Sequence, residues 1–229
     1  RVDLLLAVPR PLQLERILAV VSQMGVGTLV LANASKVSPD YFGSHLLQRP
    51  ELVRRKLVEG LTQSGDSALP RVVVAKRLKI FLEDDLEKLF PSDTYVRVFA
   101  HPSRAAPNVD PGVASIVLAA GDMHAPSGIR MEAAAAGGQR LRDIGLPQGV
   151  GPGQARVLVA VGPEGGWDEP YELDLLGRCG FRAVTLGVRV LRSDVAVTAL
   201  LALAHDWVDA LGANGGGGEG MQDIDGSEK

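Results

Sequence analysis

The apolar residues of this chain fall into short unbroken runs separated by stretches of helical period. Residues 2–8 are apolar apart from Asp3, the pattern of a strand buried on both faces. Pro9-Arg10-Pro11 breaks the run and opens a helix predicted over residues 12–24, with Leu14, Ile17, Leu18 and Val21 on one face. Gly25-Val26-Gly27 ends that helix, and residues 28–32 read as the next strand. Strand, helix, strand in this spacing predicts a parallel pair with a right-handed crossover. It is not a dinucleotide fingerprint, because the glycines follow the helix and not the first strand. After a loop over residues 33–47 the alternation continues. A helix is predicted over 51–63 with Gly65 as its stop, a strand over 71–75, a short helix over 82–89, and a strand over 95–100 that ends at His101-Pro102. The class is therefore α/β with a parallel sheet.

Residues 157–208 carry the densest pattern. A β-branched run over 157–161 leads into Gly162-Pro163-Glu164-Gly165-Gly166, where three glycines in five residues let a backbone approach a ligand closely. Asp168 is placed to cap the next helix, with Pro170 in its first turn and Gly180 as its stop. Residues 183–186 read as a further strand. A second loop, 187–192, follows, and Ser193 is placed to cap the last helix. Residues 195–204 include Thr198 as their one polar side chain. A surface helix would show a polar face, so this one is expected to be buried all round, inside the fold or against a second copy. These ten residues are too few to span a bilayer.

Between these regions, residues 103–154 turn to Ala, Gly and Pro, with low-complexity runs at 133–138 and 149–153. They are read as a largely disordered insertion, with residues 115–119 as a candidate extra edge strand. The domain is thus expected to span 1–211, followed by a disordered tail over 212–229.

The formal net charge is −3, and the tail accounts for it: Glu219, Asp223, Asp225 and Glu228 stand against Lys229. The remainder is neutral, with a basic concentration in residues 51–80 that includes Arg54, Arg55, Arg71, Lys76 and Arg77. A local basic surface fits this pattern, but a strongly polycationic protein does not. One cysteine, Cys179, excludes an internal disulfide and fits a reducing compartment. No signal peptide or membrane-length apolar run is read, so no membrane partner is expected. The four histidines show no metal-ligand spacing with cysteine, so no metal is expected.

The two loops together, G-P-E-G-G after a strand and then L-G-x-R-x-L-R before an apolar helix, resemble the carboxy-terminal half of the RsmE-type methyltransferases of the SPOUT superfamily. The matching residues are Gly162, Pro163, Glu164, Gly165 and Gly166, then Leu186, Gly187, Arg189, Leu191 and Arg192. The first half is also similar to the family, at 14–26, at the Glu59 to Gly65 segment and at His101-Pro102. It departs where the family has lysines around Pro9-Arg10-Pro11, an S-E-R segment at Asn33-Ala34-Ser35, and an arginine at Asp66. These departures mark a divergent branch. The resemblance implies a Rossmann-like SPOUT domain with a carboxy-terminal trefoil knot. It also implies a homodimer, S-adenosylmethionine as cofactor, and N3-methylation of a uridine in small-subunit ribosomal RNA. A tRNA substrate, or a non-catalytic role in ribosome assembly, remains open beside it. The family's small amino-terminal PUA-like barrel is expected to be absent from this chain. The cytoplasm and organelles such as chloroplast or mitochondrion are all compatible.

The same resemblance assigns cofactor contacts to His101, to residues 162–166 and to Leu186, Gly187 and Leu191. Methylation at N3 of uridine requires loss of a proton, which a nearby carboxylate can accept. Glu164 is the first candidate, and its alternative role is to tie down its own loop by accepting backbone N–H bonds. Asp194 stands where the family has Glu; its alternative is to stabilise the helix N-terminus. Arg192 lies just before that N-terminus, where a cation is locally unfavourable. An RNA phosphate or a salt bridge to Asp194 or Glu164 would compensate it. Arg189 and Lys36 are further candidates for RNA contact.

Overall fold

The computed structural model describes residues 1–101, 139–187 and 189–214. Six parallel strands form one sheet: β1 (Val2–Ala7), β2 (Thr28–Ala32), β3 (Arg71–Ala75), β4 (Tyr95–Ala100), β5 (Arg156–Val161) and β6 (Arg182–Val184). Their order is β3-β2-β1-β5-β4-β6. The two most uniformly apolar runs, β1 and β5, lie side by side in the centre, with Leu4 opposite Val159 and Leu6 opposite Val161. Every residue of β1 is buried, as a strand flanked on both sides must be. Asp3 interrupts that run without exposing it. Its Oδ1 accepts the N–H of Thr28 at 2.6 Å, and Arg156 lies 3.6 Å from Oδ2.

The helices are α1 (Pro11–Gln23), α2 (His45–Gln48), α3 (Pro50–Ser64), α4 (Leu78–Ile80), α5 (Leu86–Leu89), α6 (Tyr171–Arg178) and α7 (Ser193–Asn214). Helix α1 packs on α3 and α7, and α7 packs on β5 and β1. The predicted face of α1 is the buried one: Leu14, Ile17, Leu18 and Val21 are in the core. At Gly60 the backbone of α3 comes so close to α1 that a Cβ would lie 2.0 Å from the Ala19 carbonyl oxygen. The helix pair therefore needs glycine there.

The structure revises several expectations. The short helix predicted over 82–89 starts earlier: α4 runs into a π-helical turn, Phe81–Asp85, before α5. Leu78, Phe81, Leu82 and Leu86, at i, i+3, i+4 and i+8, all reach the core. The loop after β2 contains a 3-10 turn, Pro39–Tyr41, as well as α2. Strand β6 stops at Val184, two residues short of the expected end. The side chain of Asp168 does not cap α6; its carbonyl accepts the Glu172 and Leu173 N–H groups instead. Gly180, at φ +79°, does follow the end of that helix.

Residues 139–154 were expected to close the insertion, but they hold two core side chains, Leu141 and Ile144, and Gln139 bridges to Val184. The rest of that stretch, residues 103–138, lies outside the described residues. The candidate strand at 115–119 and most of the proposed tail also lie outside them.

Helix α7 differs most from expectation. It has 22 residues, and by length and composition alone it is long and apolar enough to cross a membrane. It is not buried all round. Val197, Leu200, Leu201, Ala204, Trp207 and Val208 are buried, whereas Val195 is 50% and Leu203 is 45% exposed. Cys179 is half-buried with Sγ 3.7 Å from the Leu82 carbonyl, and burial pushes its thiol pKa up. That environment disfavours the thiolate and a nucleophilic role.

Arg97 on β4 is a buried cation. Its guanidinium donates to the carbonyls of Phe90 and Cys179 and pairs with Glu87. Glu87 also accepts both the N–H and the hydroxyl of Ser92, each at 2.8 Å. The Ser92 N–H, followed by Arg97, lowers the Glu87 pKa to about 2. A depressed carboxyl pKa stabilises the fold above the ordinary value of 4.5 and loses that contribution as pH falls toward 2. Glu87→Gln should therefore be less stable than the native chain at neutral pH and show a flatter loss of stability between those two pH values. Urea unfolding at stepped pH measures both, and parallel curves for the two proteins would contradict the linkage.

Candidate functional site

The carboxyl ends of β4, β5 and β6 open on a cavity of about 490 Å³. Strands that stop in register leave their following loops side by side, and these loops form the walls. Residues 162–167 come from the loop after β5, Ala100 and His101 from the end of β4, residues 186, 187 and 189–192 from the segment between β6 and α7, and Ser193 from the start of α7. All the predicted cofactor residues line this cavity: His101, Gly162, Pro163, Glu164, Gly165, Gly166, Leu186, Gly187 and Leu191. Lys36, Arg189 and Arg192 line it as well. Asp194 lies behind the wall, with Oδ2 2.7 Å from Arg192.

The first loop is held by polar ties from three elements. Glu164 Oε1 accepts the N–H of Arg10 at 3.0 Å, linking the exits of β5 and β1. Lys36 donates its ammonium to the carbonyls of Gly165 at 3.2 Å and Trp167 at 3.1 Å. Lys36 was expected on RNA, but its charge is engaged within the wall. Trp167 is 1% exposed, and Gly162 lies against its indole so closely that a Cβ would sit 3.2 Å away. In the second loop Gly187 adopts φ +108°, a conformation that a side chain would strain.

Two residues at the site, Glu172 and Glu169, were not singled out in the sequence. Glu172 on α6 is 2% exposed. One oxygen accepts the N–H of Ser35 at 2.7 Å and its hydroxyl at 3.1 Å; the other accepts the N–H of Asp168 at 2.7 Å. This carboxylate clasps the loop after β2 to the start of α6. A Glu four residues after Asp168 was the available clue, because it can reach back to a backbone N–H at a helix start. Glu169 lines the cavity and pairs with His101, Oε1 to Nε2, at 3.0 Å. The other ring nitrogen of His101, Nδ1, is buried without a partner. Ser193 is the first residue of α7 and does not cap it with its side chain. Ala196 donates to the carbonyl of Arg192, and the Ser193 hydroxyl is buried without a partner.

Four cavity residues thus present buried polar atoms that no protein group satisfies: Gln13 Nε2, His101 Nδ1, Trp167 Nε1 and Ser193 Oγ. Each such atom costs about 1–3 kcal/mol if it stays unpaired. Their concentration around one cavity fits a ligand rich in hydrogen-bonding groups. Among the described residues, no group of three or more His, Cys, Asp or Glu side chains is arranged to hold a metal ion.

The RNA methyltransferase domain family matches residues 1–125 and 117–205. The ribosomal RNA small subunit methyltransferase E of Treponema pallidum (strain Nichols) is 28% identical over 208 residues, covering 89% of this chain and 63% of that protein. The chain thus spans less than two thirds of this relative's length. The same-named protein of Neisseria gonorrhoeae, solved with S-adenosyl methionine bound, superposes with a TM-score of 0.63 at 20% identity, covering 90% of this chain and 65% of that one. A Legionella pneumophila protein described as a methyltransferase, in complex with the same cofactor, gives a TM-score of 0.61 at 16% identity over 90% of this chain and 66% of its own. At these identities the solved structures establish the shared fold.

The Glu172 clasp has a direct consequence for stability. Glu172→Ala leaves two backbone N–H groups and a hydroxyl without their acceptor, a cost of about 2–4 kcal/mol after partial rescue by water. Urea denaturation should show that loss; a change within about 0.5 kcal/mol, ordinary for a surface site, would contradict the clasp.

Proposed function

The chain belongs to the RNA methyltransferase domain family, and on that premise we propose that it is an S-adenosylmethionine-dependent methyltransferase acting on N3 of a uridine in small-subunit ribosomal RNA. The observation that carries this reading is the cavity at the carboxyl edge of the sheet, where both glycine loops meet four unpaired buried polar atoms. Adenine, ribose and an amino-acid head group together offer the donors and acceptors such a site lacks. The cofactor bound to the Neisseria relative and the name of the Treponema relative support the assignment.

Bound there, the cofactor supplies an electrophilic methyl group carried on a sulfonium. The chain's own residues position and deprotonate. Backbone groups of residues 162–166 and of Leu186, Gly187 and Leu191 hold the cofactor, and His101 Nδ1 and Ser193 Oγ add polar contacts. Glu164 uses Oε1 to accept from Arg10; Oε2 accepts the proton of uridine N3. Arg192, steadied by Asp194, faces the negative charge of the RNA, and Arg189 lies beside it on the same wall. A chain that ties these loops needs few moving parts, because methyl transfer depends mainly on alignment.

We extend the proposal to assembly and topology. The partly exposed Val195 and Leu203 on α7 form an apolar strip that a second copy would cover, and the cavity wall runs directly into this helix at Ser193. The passage of residues 185–192 between β6 and α7, with α7 returning onto β5 and β1, is where the trefoil knot of the family is assigned.

Two measurements test the site. Gly165→Arg places a long side chain where even a Cβ meets Lys36 at 3.1 Å. It should abolish S-adenosylmethionine binding in calorimetric titration while the circular dichroism spectrum stays native. Normal binding by this variant would misplace the cofactor. Glu164→Gln keeps an acceptor for the Arg10 N–H but loses the base. Methyl transfer to unmodified small-subunit ribosomal RNA should slow by about 10²–10⁴-fold, with partial recovery at high pH where uridine ionises unaided. A rate within twofold of native would reduce Glu164 to a loop anchor.

A further inference from the structure

Beside the main cavity, a second and more open groove of about 460 Å³ runs along the first turns of α1, lined by Arg10, Pro11, Leu12, Gln13, Arg16 and Tyr41. Three features of this groove are left unexplained by packing. Arg10 and Arg16 are both exposed, and among the described residues neither guanidinium has a salt-bridge or hydrogen-bond partner. Leu12 is 75% exposed, and Tyr41 packs against the core but is only partly buried. Gln13 forms part of the wall of both the groove and the main cavity, and its Nε2 is buried without a partner.

Cations without anions, an open apolar surface and an aromatic ring make a consistent chemistry. Phosphates satisfy the first, and a base stacked on an aromatic side chain covers the other two. An acidic protein surface would satisfy the arginines but leave Leu12 and Tyr41 against water. The groove is also fastened to the catalytic side. The Arg10 N–H that begins it is held by Glu164, the residue at the mouth of the main cavity. A strand lying in the groove is therefore delivered to the cavity at a fixed offset, across Gln13.

We propose that this groove is a single-stranded RNA subsite next to the methylated nucleotide. Arg10 and Arg16 take the phosphates, Tyr41 and Leu12 take the face of a neighbouring base, and the Gln13 amide donates to the base that passes into the cavity. The inference rests on the methyltransferase reading and adds to it the path of the RNA strand. It also assigns a role to the Pro9-Arg10-Pro11 segment.

The test uses the whole chain and a fluorescein-labelled ten-nucleotide oligouridylate, with binding followed by fluorescence anisotropy at stepped salt. Arg10→Gln/Arg16→Gln should weaken binding about tenfold or more and reduce the slope of log affinity against log salt by about 1.4, the value for two phosphate contacts on a single strand. Tyr41→Ala should weaken it about fivefold or more. A control that removes the same charge elsewhere, Lys88→Gln/Arg178→Gln on α5 and α6, should stay within twofold. S-adenosylmethionine titration of every variant should match the native chain, which separates this subsite from the cofactor pocket. If the native chain binds the cofactor but not the oligouridylate, the subsite is wrong while the methyltransferase reading stands. Equal weakening by the control pair would show diffuse charge in place of a subsite. Displacement of the RNA by polyglutamate at equal charge concentration would mark an acidic-protein surface; either result overturns the proposal. Failure to bind the cofactor overturns the methyltransferase reading itself.

Discussion

The pairing of β1 with β5 is the constraint on which the rest of the molecule depends. It joins Val2 to Val157 and Leu6 to Val161, positions far apart in the chain. On one side of the pair the sheet grows through β2 to β3, and on the other through β4 to β6. The direction of growth reverses there, and in an open parallel sheet such a reversal leaves a crevice at the carboxyl ends where ligands bind. The Arg10–Glu164 hydrogen bond spans this crevice from the exit of β1 to the exit of β5. The cavity lies on the β5 side of that bond and the α1 groove on the β1 side, with Gln13 in the wall of both.

A crevice between parallel strands is bounded by loops, and loops are ordinarily the mobile part of a fold. Here three charged side chains restrain them. Glu172 gathers the loop after β2 and the start of α6, Lys36 gathers two carbonyls of the β5 loop, and Glu164 reaches the first turn of α1. None of these is a simple surface ion pair. Each bonds backbone groups that lack partners in their own segment, so removing one exposes an unmet hydrogen-bond demand. Of the eight buried side-chain polar atoms left without a partner among the described residues, four, on Gln13, His101, Trp167 and Ser193, belong to residues that line the cavity. A fold that satisfies backbone groups this carefully nearby, yet leaves four side-chain atoms unpaired in one place, has reserved them for something that binds.

The strands were legible because their signal is local. Runs such as Leu4-Leu5-Leu6 and Val157 to Val161 can only be buried, and β2, β3 and β4 begin and end where the sequence reading placed them. The glycine loops were legible because a strand that ends in Gly162-Pro163-Glu164-Gly165-Gly166 leaves few alternatives. What sequence could not disclose was which charge meets which. Lys36 and Glu172 are ordinary charged residues until the chain brings Gly165 and Ser35 to them. Arg97 sits in the middle of β4, where period alone suggests an outward side chain. It is instead buried against the carbonyls of Phe90 and Cys179. The π-helical turn at Phe81–Asp85 was missed for a related reason, since a 3.6-residue period cannot anticipate an inserted residue.

Helix α7 shows how composition and packing can give opposite readings of one segment. Its length and hydropathy meet the criterion for a membrane span, but hydropathy averages over the faces that packing distinguishes. Val197, Leu200, Leu201, Ala204, Trp207 and Val208 recur at helical spacing and are buried against the sheet and α1. The opposite side carries Val195, Ala202 and Leu203 together with Thr198, Asp206 and Asp209. In a bilayer each carboxylate near the centre of a span would cost about 2.5–3.5 kcal/mol, and the sheet-facing row would lose its partners. Seated on β1 and β5, the same residues keep both. The buried row holds the return of the chain after β6, and that return places Arg192 and Ser193 in the cavity wall. The apolar content of α7 is thus first a means of building the site, and its half-exposed strip is what the fold leaves over for a second surface.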